Sequence, residues 1–122
     1  MGRSEITVNE LNGAFANHKT ADTIDTSDNH VIAAASNFEK MIISFELSAA
    51  TTAGDTIKII AGTAHPAFRA GIGDLTFKAA GGAERVCIGP IETARYLQAD
   101  GTIHIDIAGT SIAGTIDAYS VP

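Results

Sequence analysis

The chain has no tryptophan, one cysteine, three prolines and only eight lysines and arginines among its 122 residues. Each shortage excludes something. A lone cysteine, Cys87, cannot form an intrachain disulfide, so apolar burial or assembly with other chains must hold the fold together, as expected of a protein that folds in a reducing cytoplasm. Fourteen acidic residues outweigh the eight basic ones to give a formal charge of −6. The basic residues are scattered, which argues against binding a nucleic-acid backbone. With no tryptophan and only two tyrosines, the chain is also poor in the aromatic platforms on which sugars and bases stack, which weakens both readings. No stretch approaches the run of about 20 apolar residues that spans a bilayer as a helix. The opening MGRSEITVNE has no secretory apolar core, and Ile6 stands where an N-myristoylation signal needs Ser or Thr. Neither nucleic acid nor membrane is expected as a partner.

What the chain does have is Ile, Thr, Ala and Gly. Branched side chains pack well on a pleated surface and glycine supplies turns, so the composition favours strands. The clearest stretch is Arg95 to Ile107, RYLQADGTIHIDI. Its Asp100-Gly101 dipeptide suits a tight turn, and the sequence predicts a β-hairpin around it. Beyond the turn, Ile103, Ile105 and Ile107 alternate with Thr102, His104 and Asp106, which places the isoleucines on one face of a strand.

Similar runs recur at Val31 to Ala35, Lys40 to Leu47, Ile57 to Thr63, Leu75 to Ala79, Glu84 to Ile91 and Gly114 to Val121. Lys40 to Leu47 is apolar on both faces near its middle and reads as a central strand. Glycine-bearing turns separate the runs, and HPAFRAGIGD between positions 65 and 74 reads as a loop. About eight strands at this spacing, with no amphipathic helix, predict an all-β domain: an antiparallel β-sandwich or jelly roll, with a closed barrel as the second choice. Ile-Ala-Gly-Thr occurs at Ile60, Ile107 and Ile112 with no common period, so it reads as punctuation at strand ends.

The first thirty residues differ from the rest. After a short possible strand at Ile6 to Val8, the sequence is polar with isolated Leu11, Phe15 and Ile24 and no sustained period. This predicts an extended N-terminal arm over residues 1–30 and a β domain over 31–122. The arm would be either disordered or laid along a surface, including one on another subunit. The 18 residues from Asn12 to Asn29 would span about 60 Å if fully extended.

No constellation of residues announces chemistry. His104 and Asp106 share the polar face of a strand, but zinc needs three or four ligands, and His18, His30 and His65 lie in loops with no converging spacing. Cys87, between Val86 and Ile88, has no evident base and reads as a packing residue that points away from the core if its neighbours point inward. Gly71 to Asp74 opens no helix, so it lacks the geometry of a dinucleotide loop. Ser36, Ser44 and Ser48 lie in no nucleophile elbow. The expectation is a protein that is not an enzyme, with no catalytic, cofactor-binding or metal residues.

From Ile88 onward the chain resembles the small virion proteins that decorate, or cement, the heads of tailed bacteriophages. The resemblance rests on Ile88-Gly89-Pro90-Ile91-Glu92, Arg95-Tyr96, the Asp100-Gly101 turn with its alternating strand, and the closing Ala118-Tyr119-Ser120-Val121-Pro122. It covers about the last third of the chain, with a looser likeness upstream. It implies a β-sandwich that assembles as a homo-oligomer, commonly a homotrimer, on the outside of a capsid and bridges major capsid protein subunits without catalysis. Made in the host cytoplasm, it would reside on the virion. Leu11, Phe15 and Ile24 would then be the lattice-contact residues of the arm. A phage tail or fibre module, and a small ligand-binding sandwich of the carbohydrate-binding kind, are the alternatives; the latter would have to rely on Tyr96 and Tyr119.

Overall fold

The alternation of apolar and polar residues is realised as two sheets that share one core. The computed structural model describes residues 4–10, 22–33, 39–49, 51–62, 73–109 and 112–121. They form strands β1 (Ser4–Glu5), β2 (Val8–Glu10), β3 (Asp22–Thr23), β4 (His30–Ile32), β5 (Lys40–Leu47), β6 (Thr56–Ile59), β7 (Leu75–Lys78), β8 (Glu84–Glu92), β9 (Ile103–Ala108) and β10 (Gly114–Val121). One helical turn, α1 (Thr93–Tyr96), precedes β9. The first sheet has the order β1-β4-β9-β6-β7, and the second β2-β10-β5-β8 with β3 also on β10.

Strand β9 sits at the centre of the first sheet. Ile105 lies opposite His30 of β4 and Ile59 of β6, and Ile103 and Ile107 take the equivalent inner positions opposite Ile32 and Ile57. All three isoleucines of β9 are buried, as the alternation predicts. On the outer face Asp106 stands opposite Lys58, a favourable cross-strand pairing of charges. The second sheet is built around β5, whose Met41, Ile43, Phe45 and Leu47 point inward, and which pairs along its length with β10 and β8. The prediction of a central strand there holds. Inner residues of both sheets, with Tyr96 of α1, belong to one hydrophobic cluster. Burying each large aliphatic side chain contributes about 1.5–3 kcal/mol, so the core needs no disulfide.

Three features differ from the sequence reading. First, the sheets are mixed: β1 runs parallel to β4 and β2 parallel to β10, while the other pairings are antiparallel. Strands of two or three residues are too short to carry a periodic signal, and nothing local to a segment encodes the direction of a distant partner.

Second, the Asp100-Gly101 turn forms, with Gly101 at φ 84° and its N–H donating to the Gln98 carbonyl at 2.9 Å, but the incoming arm is not a full strand. It is α1 followed by a single bridge between Leu97 and Ile103. The buried ring of Tyr96 is brought to the core by the helical turn instead of by strand alternation.

Third, Gly89-Pro90 reads from the sequence as the end of the Glu84 to Ile91 strand, but β8 continues through it to Glu92. Its register shifts so that Met41 faces Ile91 while Ile43 faces Ile88. Pro90 is tolerated because β8 ends the described sheet, where a missing N–H breaks no ladder.

Within the stretch expected to be an arm, residues 4–10 and 22–30 are described, and they pair with the body of their own chain. Ile6 is 2% exposed and Ile24 8%. Ile6 N donates to Val31 O and Ile24 N to Gly114 O, each at 2.9 Å. One short segment thus passes from the edge of the first sheet (β1) to the edge of the second (β2). Leu11 and Phe15 lie outside the described residues.

Two substitutions test this packing. Ile105→Asp would put an unpaired charge into the core and is expected to abolish cooperative unfolding or solubility, a loss of more than about 4 kcal/mol; a well-folded variant would mean the register of β9 is wrong. Ile6→Ala is expected to lower stability by about 2–5 kcal/mol in urea titration, whereas an arm detached from the body would give no change.

Candidate functional site

The densest polar cluster of the described residues surrounds His30, at the start of β4. The turn leading to it, Asp25-Thr26-Ser27-Asp28, is closed by Asp25: one carboxylate oxygen accepts the N–H of Ser27 at 2.9 Å and of Asp28 at 3.1 Å, the local pattern that makes Asp a turn former. The other oxygen accepts the hydroxyl of Ser4 from β1. Asn29 follows with a positive φ of 62°, and its side-chain oxygen accepts the Ile107 N–H at 2.8 Å. Ser4 N donates to Asn29 O at 2.9 Å. A neighbouring tie runs from Thr7 N to the Asp22 carboxylate, also at 2.9 Å. Together these contacts join β1, the turn, β4 and β9.

His30 itself is fully buried. Its Nε2 lies 2.8 Å from the backbone N of Asp25 and accepts that N–H, while Nδ1 lies 3.3 Å from Ser4 O. These partners assign the neutral tautomer with its proton on Nδ1, donating to the Ser4 carbonyl. The Asp25 carboxyl is held below its ordinary value of 3.8, first by the Ser4 hydroxyl, then by the two turn N–H groups.

Ser, His and Asp side chains therefore meet here, but not as a hydrolytic relay. The Ser4 hydroxyl donates to Asp25, and the imidazole nitrogens are directed at backbone groups, so the imidazole does not take the hydroxyl proton. The arrangement does positional work: it fastens the N-terminal strand to the sheet. The sequence signal was the Asp25-Thr26-Ser27-Asp28-Asn29 run, which marks a turn; its long-range partners Ser4 and Ile107 carry no local mark.

A second junction lies around α1. Ala61 N donates to the Asp74 carboxylate at 2.6 Å, Gln98 Nε2 to Ala61 O at 3.1 Å, and Gly62 N to Arg95 O at 3.0 Å. A Cβ at Gly62 would come within 2.5 Å of the Leu97 carbonyl oxygen, so only glycine permits this approach. The Arg95 guanidinium lies 4.9 Å from the Tyr96 ring centre. Burial pushes the Tyr96 phenol upward, with Arg95 partly opposing it. Thr93 Oγ1 and Arg95 Nε are buried here with no hydrogen-bond partner among the described residues.

The remaining candidates stay apart. His104 and Asp106 are half-buried on the outer face of β9, and the described residues contain no group of three or more potential metal ligands. Cys87 is exposed on the outer face of β8, with Val86 and Ile88 packed against the core. A shallow depression of about 180 Å³ at the end of β5 and β8 is lined by Glu46, Leu47, Ala83, Glu84 and Arg85. Glu46 and Arg85 meet there at 3.5 Å across an exposed surface, a pairing of little energetic weight. At the β9 turn, the Thr102 hydroxyl donates to Asp100 at 2.6 Å and is the main cause holding that carboxyl below its ordinary value.

Comparison with protein-family models, curated proteins and solved structures finds no match to this chain.

Because the folded Asp25 carboxyl titrates below 3.8, its contribution to stability is complete above that pH and is lost as pH falls through the lowered value. Urea unfolding from pH 5 to pH 2 should therefore show a shallower loss of stability in Asp25→Asn than in the parent, and equal slopes would remove the carboxylate from the clasp. His104→Ala, on the outer strand face, is expected to change stability by no more than about 0.5 kcal/mol in the same titration at neutral pH.

Proposed function

We propose that this chain is a structural protein of a bacteriophage virion that binds the outside of an assembled capsid as a homo-oligomer and stabilises it. In this reading the two sheets are the layers of a jelly-roll sandwich, the oligomer is a homotrimer, and the partner is the major capsid protein. The supporting observation is where the resembling residues lie. Ile88 to Glu92 end β8, Asp100-Gly101 leads into β9 at the centre of the first sheet, and Ala118 to Val121 close β10, which is paired on both sides in the second. The likeness thus falls on the framework of the domain and not on a surface loop.

The mechanism needs no chemistry. A protein that binds only the assembled lattice stabilises it by its binding free energy, repeated at every site. Ile24 is buried in the chain's own core and is withdrawn from the lattice contact, which leaves Leu11 and Phe15 of the three residues named for it.

Purified protein mixed with undecorated phage heads should co-sediment with them to saturation and raise the temperature at which they rupture. Light scattering of the free protein should give a mass above that of one chain. A strict monomer that neither binds heads nor protects them from heat would overturn the proposal.

A further inference from the structure

The clasp around His30 depends on one protonation state. The buried ring must leave Nε2 unprotonated to accept the Asp25 N–H at 2.8 Å while Nδ1 faces the Ser4 carbonyl. We propose that His30 is an acid-sensitive latch for the N-terminal segment: a proton on Nε2 is incompatible with the closed clasp, so mild acid releases residues 4–10 from β4 and β10 while the rest of the two sheets stays folded.

The proton would set an Nε2–H against the Asp25 N–H in a site without solvent, replacing an attraction by a repulsion between two donors. Among the described residues, the groups facing the ring do not prevent this. From β1 the ring meets Ser4, and Glu5 beside it is exposed. From the turn it meets Asp25, to which Ser27 and Asp28 are tied. From β9 it meets Ile105, while His104 and Asp106 stand on the opposite face of the sheet. Asp22 is engaged with Thr7 N, and neither β1, β2 and the link between them, β3 to β4, nor β9 contains a lysine or arginine.

The nearby carboxylates favour an imidazolium, which opposes release. The Asp25 charge interacts with His30, but its oxygens already accept three hydrogen bonds, and the ring nitrogens make their contacts with the Asp25 N–H and the Ser4 carbonyl. The backbone contact therefore decides which form fits.

Release is local because the attachment is slight. Strands β1 and β2 contain two and three residues and lie at sheet edges, whereas β5, β8 and β10 hold one another through eight or nine residues each. Opening would expose Ile6 and free one edge of each sheet, at β4 and at the Ala118–Ser120 part of β10. The inference is independent of any capsid partner.

The test uses the full chain and amide hydrogen exchange at pH 7.5 and pH 5.0, corrected for the intrinsic pH dependence of exchange. Both values lie above the range where Asp25 titrates. Exchange at Ser4 and Ile6 should rise at the lower pH by up to about 30-fold, the linkage limit for a histidine that titrates near 6.5 once released, while the amides of β5 and β10 facing each other keep their protection. In His30→Gln, whose side-chain oxygen can accept the Asp25 N–H but does not titrate, exchange should not depend on pH. Direct ¹⁵N spectroscopy of the His30 ring in the unmodified chain keeps the proposal testable if that variant does not fold: Nε2 should be unprotonated at pH 7.5. A ring protonated at Nε2 with the segment still protected, unchanged exchange at pH 5.0, or an equal loss of protection throughout the chain would each overturn the latch.

Discussion

The register of β9 is the constraint on which the rest depends. Ile105 has His30 on one side and Ile59 on the other, so one residue's inward orientation sets that of both neighbouring strands. A slip of one position would turn Ile103, Ile105 and Ile107 to solvent and bring His104 and Asp106 inside. The cost of burying that imidazole and carboxylate unpaired is what makes the register unique. The second sheet is set in the same way by Met41, Ile43, Phe45 and Leu47 of β5, and the single cluster formed by the two inner faces gives a disulfide-free chain its cohesion.

Around this core the N-terminal segment is attached by different means. Its strands are too short to be held by ladder bonds alone, and a few long-range polar contacts take their place: Ser4 with Asp25, Thr7 with Asp22, and His30 with both the turn and Ser4. Asn29 extends the same network to β9 through Ile107 N. Apolar burial of Ile6 and Ile24 completes the attachment. Such contacts run through polar and ionisable side chains, whereas the core is built of isoleucines and other apolar residues.

How much of this was legible in the sequence follows from the range of each signal. Alternation revealed the inward isoleucines of β9, the central position of β5 and the inward Leu75 and Phe77 of β7, because period-two burial is local information. The Asp100-Gly101 turn was equally legible. The helical turn of α1 was not, since four residues cannot establish a 3.6-residue period. Nor was the role of positions 4–10 and 22–30, where Ile6 and Ile24 stand isolated among polar residues and gain their burial only from strands far along the chain. His30 read as a loop histidine for the same reason: its contacts with Asp25 N and Ser4 O run to backbone atoms, and Ser4 lies 26 positions away. The IAGT repeats closed β6 and β9 as punctuation but opened β10.

Residues 4–10 are paired with both sheets of their own chain. Nuclear Overhauser contacts at neutral pH test this pairing most directly. The account predicts backbone contacts between Val8 and Ala118 and between Ser4 and His30, in parallel register, together with contacts from the Ile6 methyl groups to the core. Sharp resonances at random-coil shifts for residues 4–10, with none of these contacts, would contradict it.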